Sequence, residues 1–283
     1  MYKNIYTERV RGKKNTHLIH LWSDSGYKNF EWVNPAYREC HEADATHVGL
    51  NGKPLKKTTK YYYNGFGPAS DNESDIHFAD MKPHQKFLIE KYGTNDEPST
   101  THCELFFDIE TEMLDSLTEE GIRKAPKMVT SIAWYDKLAD KWGIVILDKK
   151  NQLKHQKFKN KEIIPVQHEE DLLFKWIEKM EEIRPDILIG YNSDYFDIPY
   201  LYYRTCNILG REFADRMSPI GKVTSSLTRH KDTIKGKNFQ EVDIKGLSSL
   251  DYMRMHKKYS WADEPSWKLD AIGEKYAGIN KVE

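Results

Sequence analysis

Two acidic residues separated by one position close an apolar run in Leu105-Phe106-Phe107-Asp108-Ile109-Glu110-Thr111. In an extended strand side chains alternate faces, so Asp108 and Glu110 point to one side and Ile109 to the other. Like charges held that close repel, and the pair is stable only with a cation between them or a proton on one. Hard oxygen donors at this spacing suit Mg²⁺ or Mn²⁺. A strand ending in a solvated acidic turn has the same spelling, so the pair alone leaves both readings open. A third acid stands far along the chain, in Gly190-Tyr191-Asn192-Ser193-Asp194-Tyr195-Phe196-Asp197-Ile198-Pro199. Taken singly, Asp197 reads as a helix N-cap with Pro199 in the first turn, Asn192 as a loop amide and Phe196 as core.

The elements that must carry these residues are legible from their periodicity. Met128 to Tyr135 and Trp142 to Leu147 are β-rich runs joined by a short polar turn, and with the Asp108 strand they predict an antiparallel start to a sheet. His168 to Ile183 predicts a helix, with Glu169, Glu170 and Asp171 in its first turn and Leu172, Leu173, Trp176, Ile177 and Met180 on one face. Ile187 to Gly190 is too short for a helix and apolar throughout, as a strand buried on both faces would be. Residues 1 to about 100 read as short strands and turns, including His17 to Trp22 and Lys60 to Tyr63, then a helix over Pro83 to Tyr92. The turn-rich stretch Gly93 to Thr100 predicts a boundary, giving a β-rich unit over 1–100 and a mixed α/β unit over 101–283.

Composition narrows the field. The 283 residues are 39% hydrophobic and 31% charged, ordinary for a globular protein. The three cysteines, Cys40, Cys103 and Cys206, form no C-x-x-C pair, which argues for a reducing compartment and against a zinc ribbon. There is no apolar run of membrane-spanning length, so the expectation is a cytosolic protein with no membrane partner. A net charge of −1 means that any nucleic-acid contact must come from local basic patches. Lys149 to Lys161 is the strongest, with six lysines and no acid. A surface loop explains that run as well as DNA does. Another is the cluster Lys222, Arg229, Lys231, Lys235 and Lys237 over 222–244, for which lysines that keep a solvated edge from aggregating are the competing reading.

Taken together, these stretches resemble the proofreading exonuclease of family B DNA polymerases. Leu105 to Thr111 is similar to its Asp-Ile-Glu-Thr motif, and Asn192 to Asp197 to its Asn-x-x-x-Phe-Asp motif, at a separation of about 90 residues, as in the family. Met217 to Ile244 resembles a β-hairpin carried by the polymerases of T-even-type phages, and Leu250 to Met253 and Pro265 to Ile272 resemble the strand and helix that follow. The likeness covers roughly residues 75–283. It implies a ribonuclease H-like mixed α/β fold and hydrolysis of the 3′-terminal phosphodiester of DNA with two Mg²⁺ or Mn²⁺ ions held by Asp108, Glu110 and Asp197. It further implies that Asn192 and Phe196 meet the terminal nucleotide, that the hairpin cations reach toward the primer-template junction, and that Lys281 steadies charge on the phosphate. The family's third motif, Tyr-x-x-x-Asp, is not found in its expected place, and the polymerase palm motifs are absent. The resemblance therefore implies an N-terminal polymerase piece, slow by itself, acting on a single-stranded 3′ end with a second polypeptide. The competing readings are a catalytically incomplete DNA-binding or assembly module and an unrelated globular domain.

Overall fold

The computed structural model describes residues 1–58, 76–78, 81–93, 95, 97–114, 118–229, 238–260 and 264–279. These fall into two compact units, Met1–Thr100 and Thr101–Glu283. The strand expected over Lys60 to Tyr63 lies outside the described residues.

In the first unit β1 (Tyr2–Arg9), β2 (Thr16–Ser23) and β3 (Gly26–Val33) form an antiparallel meander. Alternation along β2 sends Ile19 and Leu21 to one face, where they are buried with Phe87. Four short strands, β4 (Ala36–Glu39), β5 (His47–Val48), β6 (Pro54–Thr58) and β7 (Ile76–His77), make a second sheet in the order β5-β6-β4-β7. Phe87 comes from α1 (Pro83–Tyr92), which begins with proline at a position where a missing N–H costs nothing.

The second unit is built on a seven-stranded mixed sheet. Its strands are β8 (Glu104–Thr111), β9 (Val129–Asp136), β10 (Lys141–Leu147), β11 (Gln156–Lys157), β12 (Lys161–Val166), β13 (Ile187–Gly190) and β16 (Ser248–Asp251), in the order β11-β12-β10-β9-β8-β13-β16. The antiparallel start β8-β9-β10 is present. β13 lies parallel between β8 and β16. The run 149–161, which a surface loop and a DNA contact explain equally well in the sequence, contains β11 and the first residue of β12. Leu250 to Met253, expected as a strand, ends as one at Asp251, because that side chain caps the next helix.

Of the helices, α2 (Glu119–Lys124) is short, and α3 (Glu169–Ile183) lays Leu172, Leu173, Trp176, Ile177 and Met180 on the sheet face formed by Phe107, Ile109 and Trp134. Trp176 stacks on Phe107 at 5.8 Å. Gly143 is required beneath Trp134, since a Cβ there would lie 2.0 Å from its ring. α4 (Asp197–Leu209) and α5 (Arg211–Asp215) complete that layer. Glu169 and Arg204 form a buried two-pronged pair (2.8 and 2.5 Å), and Glu169 also accepts the Val129 N–H at 2.8 Å. Through these three bonds Glu169 ties α3, α4 and β9 together. The hairpin β14 (Val223–Arg229) and β15 (Asn238–Ile244) then leads through β16 to α6 (Tyr252–Tyr259) and α7 (Leu269–Ala277). The whole is the mixed α/β architecture expected, with a β-rich region before it.

Candidate active site

The acids sit where the parallel strands end. β8 and β13 run side by side in the same direction, with Leu188 opposite Leu105 and Ile189 opposite Phe106. The chain leaving Gly190 therefore turns beside Asp108, at the carboxyl edge where open α/β sheets bind ligands. Asp108 and Glu110 are exposed while Phe107 and Ile109 are buried, which is the alternation the sequence predicts.

Asp197 is not the N-cap. It is the first residue of α4, only 4% exposed, and its Oδ1 accepts the Ile109 N–H at 3.3 Å. The side chain thus faces the backbone between the two acids of β8. Burial, and next the charge of Asp108, push its pKa up to about 7. A buried carboxylate aimed at a second carboxylate is costly unless a proton or a cation joins them. The Asp108–Asp197 donor set therefore fits a hard divalent cation, with Glu110 two residues along the same strand face. Among the described residues no group of three or more His, Cys, Asp or Glu is gathered around one point as a ready ion cage.

The turn between β13 and α4 is held tightly. Asn192 adopts a left-handed backbone (φ 63°), and its carbonyl accepts the N–H groups of Tyr195 and Phe196, both at 3.1 Å. At Gly190 a Cβ would stand 2.6 Å from that of Ser193, so the turn closes only over glycine. Phe196 is half-buried, with its ring 5.4 Å from Tyr200. Lys222 is half-buried at the foot of the β14–β15 hairpin, and Arg229 is the last residue of β14. Lys231, Lys235, Lys237 and Lys281 lie outside the described residues.

Two features of the surroundings were missed in the sequence. Asp251, 3% exposed, accepts four backbone N–H groups: Asn192 (3.0 Å), Asp194 (3.2 Å), Met253 (2.9 Å) and Arg254 (3.3 Å). It caps α6 and anchors the Asn192 turn at once. Its place before a helical run was a signal for the cap, but none existed for the second task. The other feature is a cleft of about 810 Å³ on the Asp108 side of the sheet, lined by Phe106, Tyr135, Trp142, Tyr191 and Tyr252. Among the described residues no helix is long and apolar enough to cross a membrane.

Against known proteins, residues 67–272 match the model of the family described as DNA polymerase family B, exonuclease domain. The chain is 29% identical over 197 residues to the DNA-directed DNA polymerase of Escherichia phage RB69, covering 62% of this chain and 21% of that protein. It is 35% identical over 111 residues to the DNA-directed DNA polymerase of Enterobacteria phage T4, covering 39% of this chain and 12% of that protein. The DNA polymerase delta catalytic subunit of Glycine max is 30% identical over 128 residues, covering 42% and 11%. The chain spans about a fifth or less of the length of these relatives.

Proposed function

Because this chain belongs to the family B DNA polymerases through their exonuclease domain, we propose that it removes nucleotides from the 3′ end of DNA, the proofreading step of replication. The observation that carries this reading is the Asp197 carboxyl, buried against the Ile109 N–H and beside Asp108. Asp108, Glu110 and Asp197 would hold Mg²⁺ or Mn²⁺, two ions in all. Such ions lower the pKa of an attacking water and stabilise the leaving 3′ oxygen. The chain's own residues fix the stage: the Ile109 N–H orients Asp197, and the Asp251 tether holds the Asn192 turn in place for the terminal nucleotide. The half-buried ring of Phe196 offers that nucleotide an apolar edge. The polymerising function, carried by the rest of a phage-type polymerase, belongs to this proposal too, since the relatives are DNA-directed DNA polymerases several times longer.

Single-stranded DNA labelled at its 5′ end, incubated with Mn²⁺ or Mg²⁺, tests the reading. A ladder shortening from the 3′ end is expected, and it is expected to vanish in the Asp108→Ala/Glu110→Ala variant. Degradation that survives this double change would sink the assignment. Repeating the assay with the downstream polypeptide of a phage-type polymerase tests the partner, for which a faster ladder is expected.

A further inference from the structure

The lysine-rich run at the far edge of the active-site sheet has an ordered frame. β11 pairs antiparallel with β12, Gln156 opposite Ile163 and Lys157 opposite Glu162. The turn between them is closed by the Phe158 N–H donating to the Lys161 carbonyl at 2.7 Å. The chain entering it is pinned by the Leu153 N–H on the Asp148 carboxylate at 2.6 Å. Some exposed lysines elsewhere in this unit have acids to answer them, as Lys124 has Glu120 (2.6 Å) and Lys137 has Glu104 (2.7 Å), while Lys141, one strand from this run, has none among the described residues. Lys150, Lys154, Lys159 and Lys161 are all exposed and take no part in the ion pairs among the described residues. One or two lysines suffice to guard an edge strand of two residues. Four uncompensated ones make a local positive field on a chain of net charge −1.

Register connects this patch to the acids. Asp108 lies opposite Ala133, Ala133 opposite Ile144, Ile144 opposite Ile163, and Ile163 opposite Gln156. Residues paired across a sheet share a face. The row thus runs from Asp108 to the β11 edge on one side, over four strand spacings of about 4.8 Å, or about 19 Å. The neighbouring row is Phe106, Tyr135, Trp142 and Lys161. Tyr135 and Trp142 stack at 4.0 Å, and Trp142 is 49% exposed. Phe158 beyond them is 57% exposed. Aromatic rings interleaved with unpaired cations are what binds single strands without reading their sequence.

Resting on the proposal that a DNA 3′ end enters at Asp108, we infer that the strand behind that end crosses this sheet face and that Lys154, Lys159 and Lys161 of the β11 hairpin hold its phosphates. At the 3.4 Å per-strand spacing of stacked DNA, the span corresponds to roughly six nucleotides.

The test is fluorescence anisotropy of a labelled 12-nucleotide oligothymidylate in EDTA, over a series of salt concentrations. The Lys154→Glu/Lys159→Glu/Lys161→Glu variant is expected to bind at least tenfold more weakly. The slope of log K against log salt should fall by about 2, since each phosphate contact contributes roughly 0.7 for a single strand. The Lys→Gln triple should lose less. A control of equal charge in the other unit, Arg11→Glu/Lys28→Glu/Lys56→Glu, should retain the native slope. An unchanged slope in the hairpin variant, or an equal loss in the control, overturns the inference. A photoreactive thymidine analogue placed six nucleotides from the 3′ end should crosslink to the hairpin. One placed at the 3′ terminus should not, and the reverse pattern also overturns the path. If the native chain degrades no DNA while the hairpin variant still loses affinity, the phosphate contacts stand and the exonuclease reading falls.

Discussion

Asp197 owes its character to being buried where a second carboxylate looks at it. Its pKa of about 7 stands above its ordinary value of 3.8, so in EDTA the folded chain holds a proton that the unfolded chain gives up. Stability should therefore be greatest below the unfolded value of 3.8 and be lost as pH rises to about 7, by on the order of 4 kcal/mol. Asp197→Asn has no such proton to lose. We expect this variant to melt at a higher temperature than the native chain at pH 8 in EDTA, to show a flatter pH profile, and to lose the cation-induced rise in melting temperature. Thermal melts with and without Mn²⁺ check all three. This residue also marks how far the sequence could be read. Asp before a proline-bearing first turn spells a cap, and only the parallel pairing of β8 with β13 turns that side chain inward. The pairing joins residues about 80 apart, beyond any local pattern, and the family resemblance alone pointed to it.

Elements were legible wherever a period ran long enough. The alternation in β8 and β9 and the apolar face of α3 gave strands, helix and buried faces together. β11 escaped because two residues of pairing leave no period, and six lysines in thirteen positions look like a loop. The contact between α3 and α4 escaped as well. Glu169 reads as a charge suited to a helix start, while its partner Arg204 lies 35 residues on. Breaking one side of that buried pair, by Glu169→Gln or Arg204→Met, should cost about 3–5 kcal/mol. A lowered urea midpoint in either variant is the expected result. Gly143→Ala should force the Trp134 ring aside at about 1–3 kcal/mol, seen as a shift in tryptophan emission with the urea midpoint lowered.

At the scale of the molecule, the mixed sheet with a β-rich region ahead of it was readable from the order of elements, because runs of strands and helices restrict the layers available. The acids Asp108, Glu110 and Asp197 all lie in the second of the two compact units. We expect residues 101–283, expressed alone, to melt in one cooperative transition and to keep the Mn²⁺-induced rise, with calorimetry as the check. A broad, cation-insensitive transition would show that the first unit is needed for folding. The Asp251 tether has a further consequence for how this chain can change over generations. Segments 191–195 and 252–254 share one carboxylate, so neither can drift without the consent of the other. In a library randomised across both and selected only for solubility, position 251 should stay frozen as Asp while its neighbours wander. That would make it the narrow gate through which any redesign of the Asn192 turn must pass.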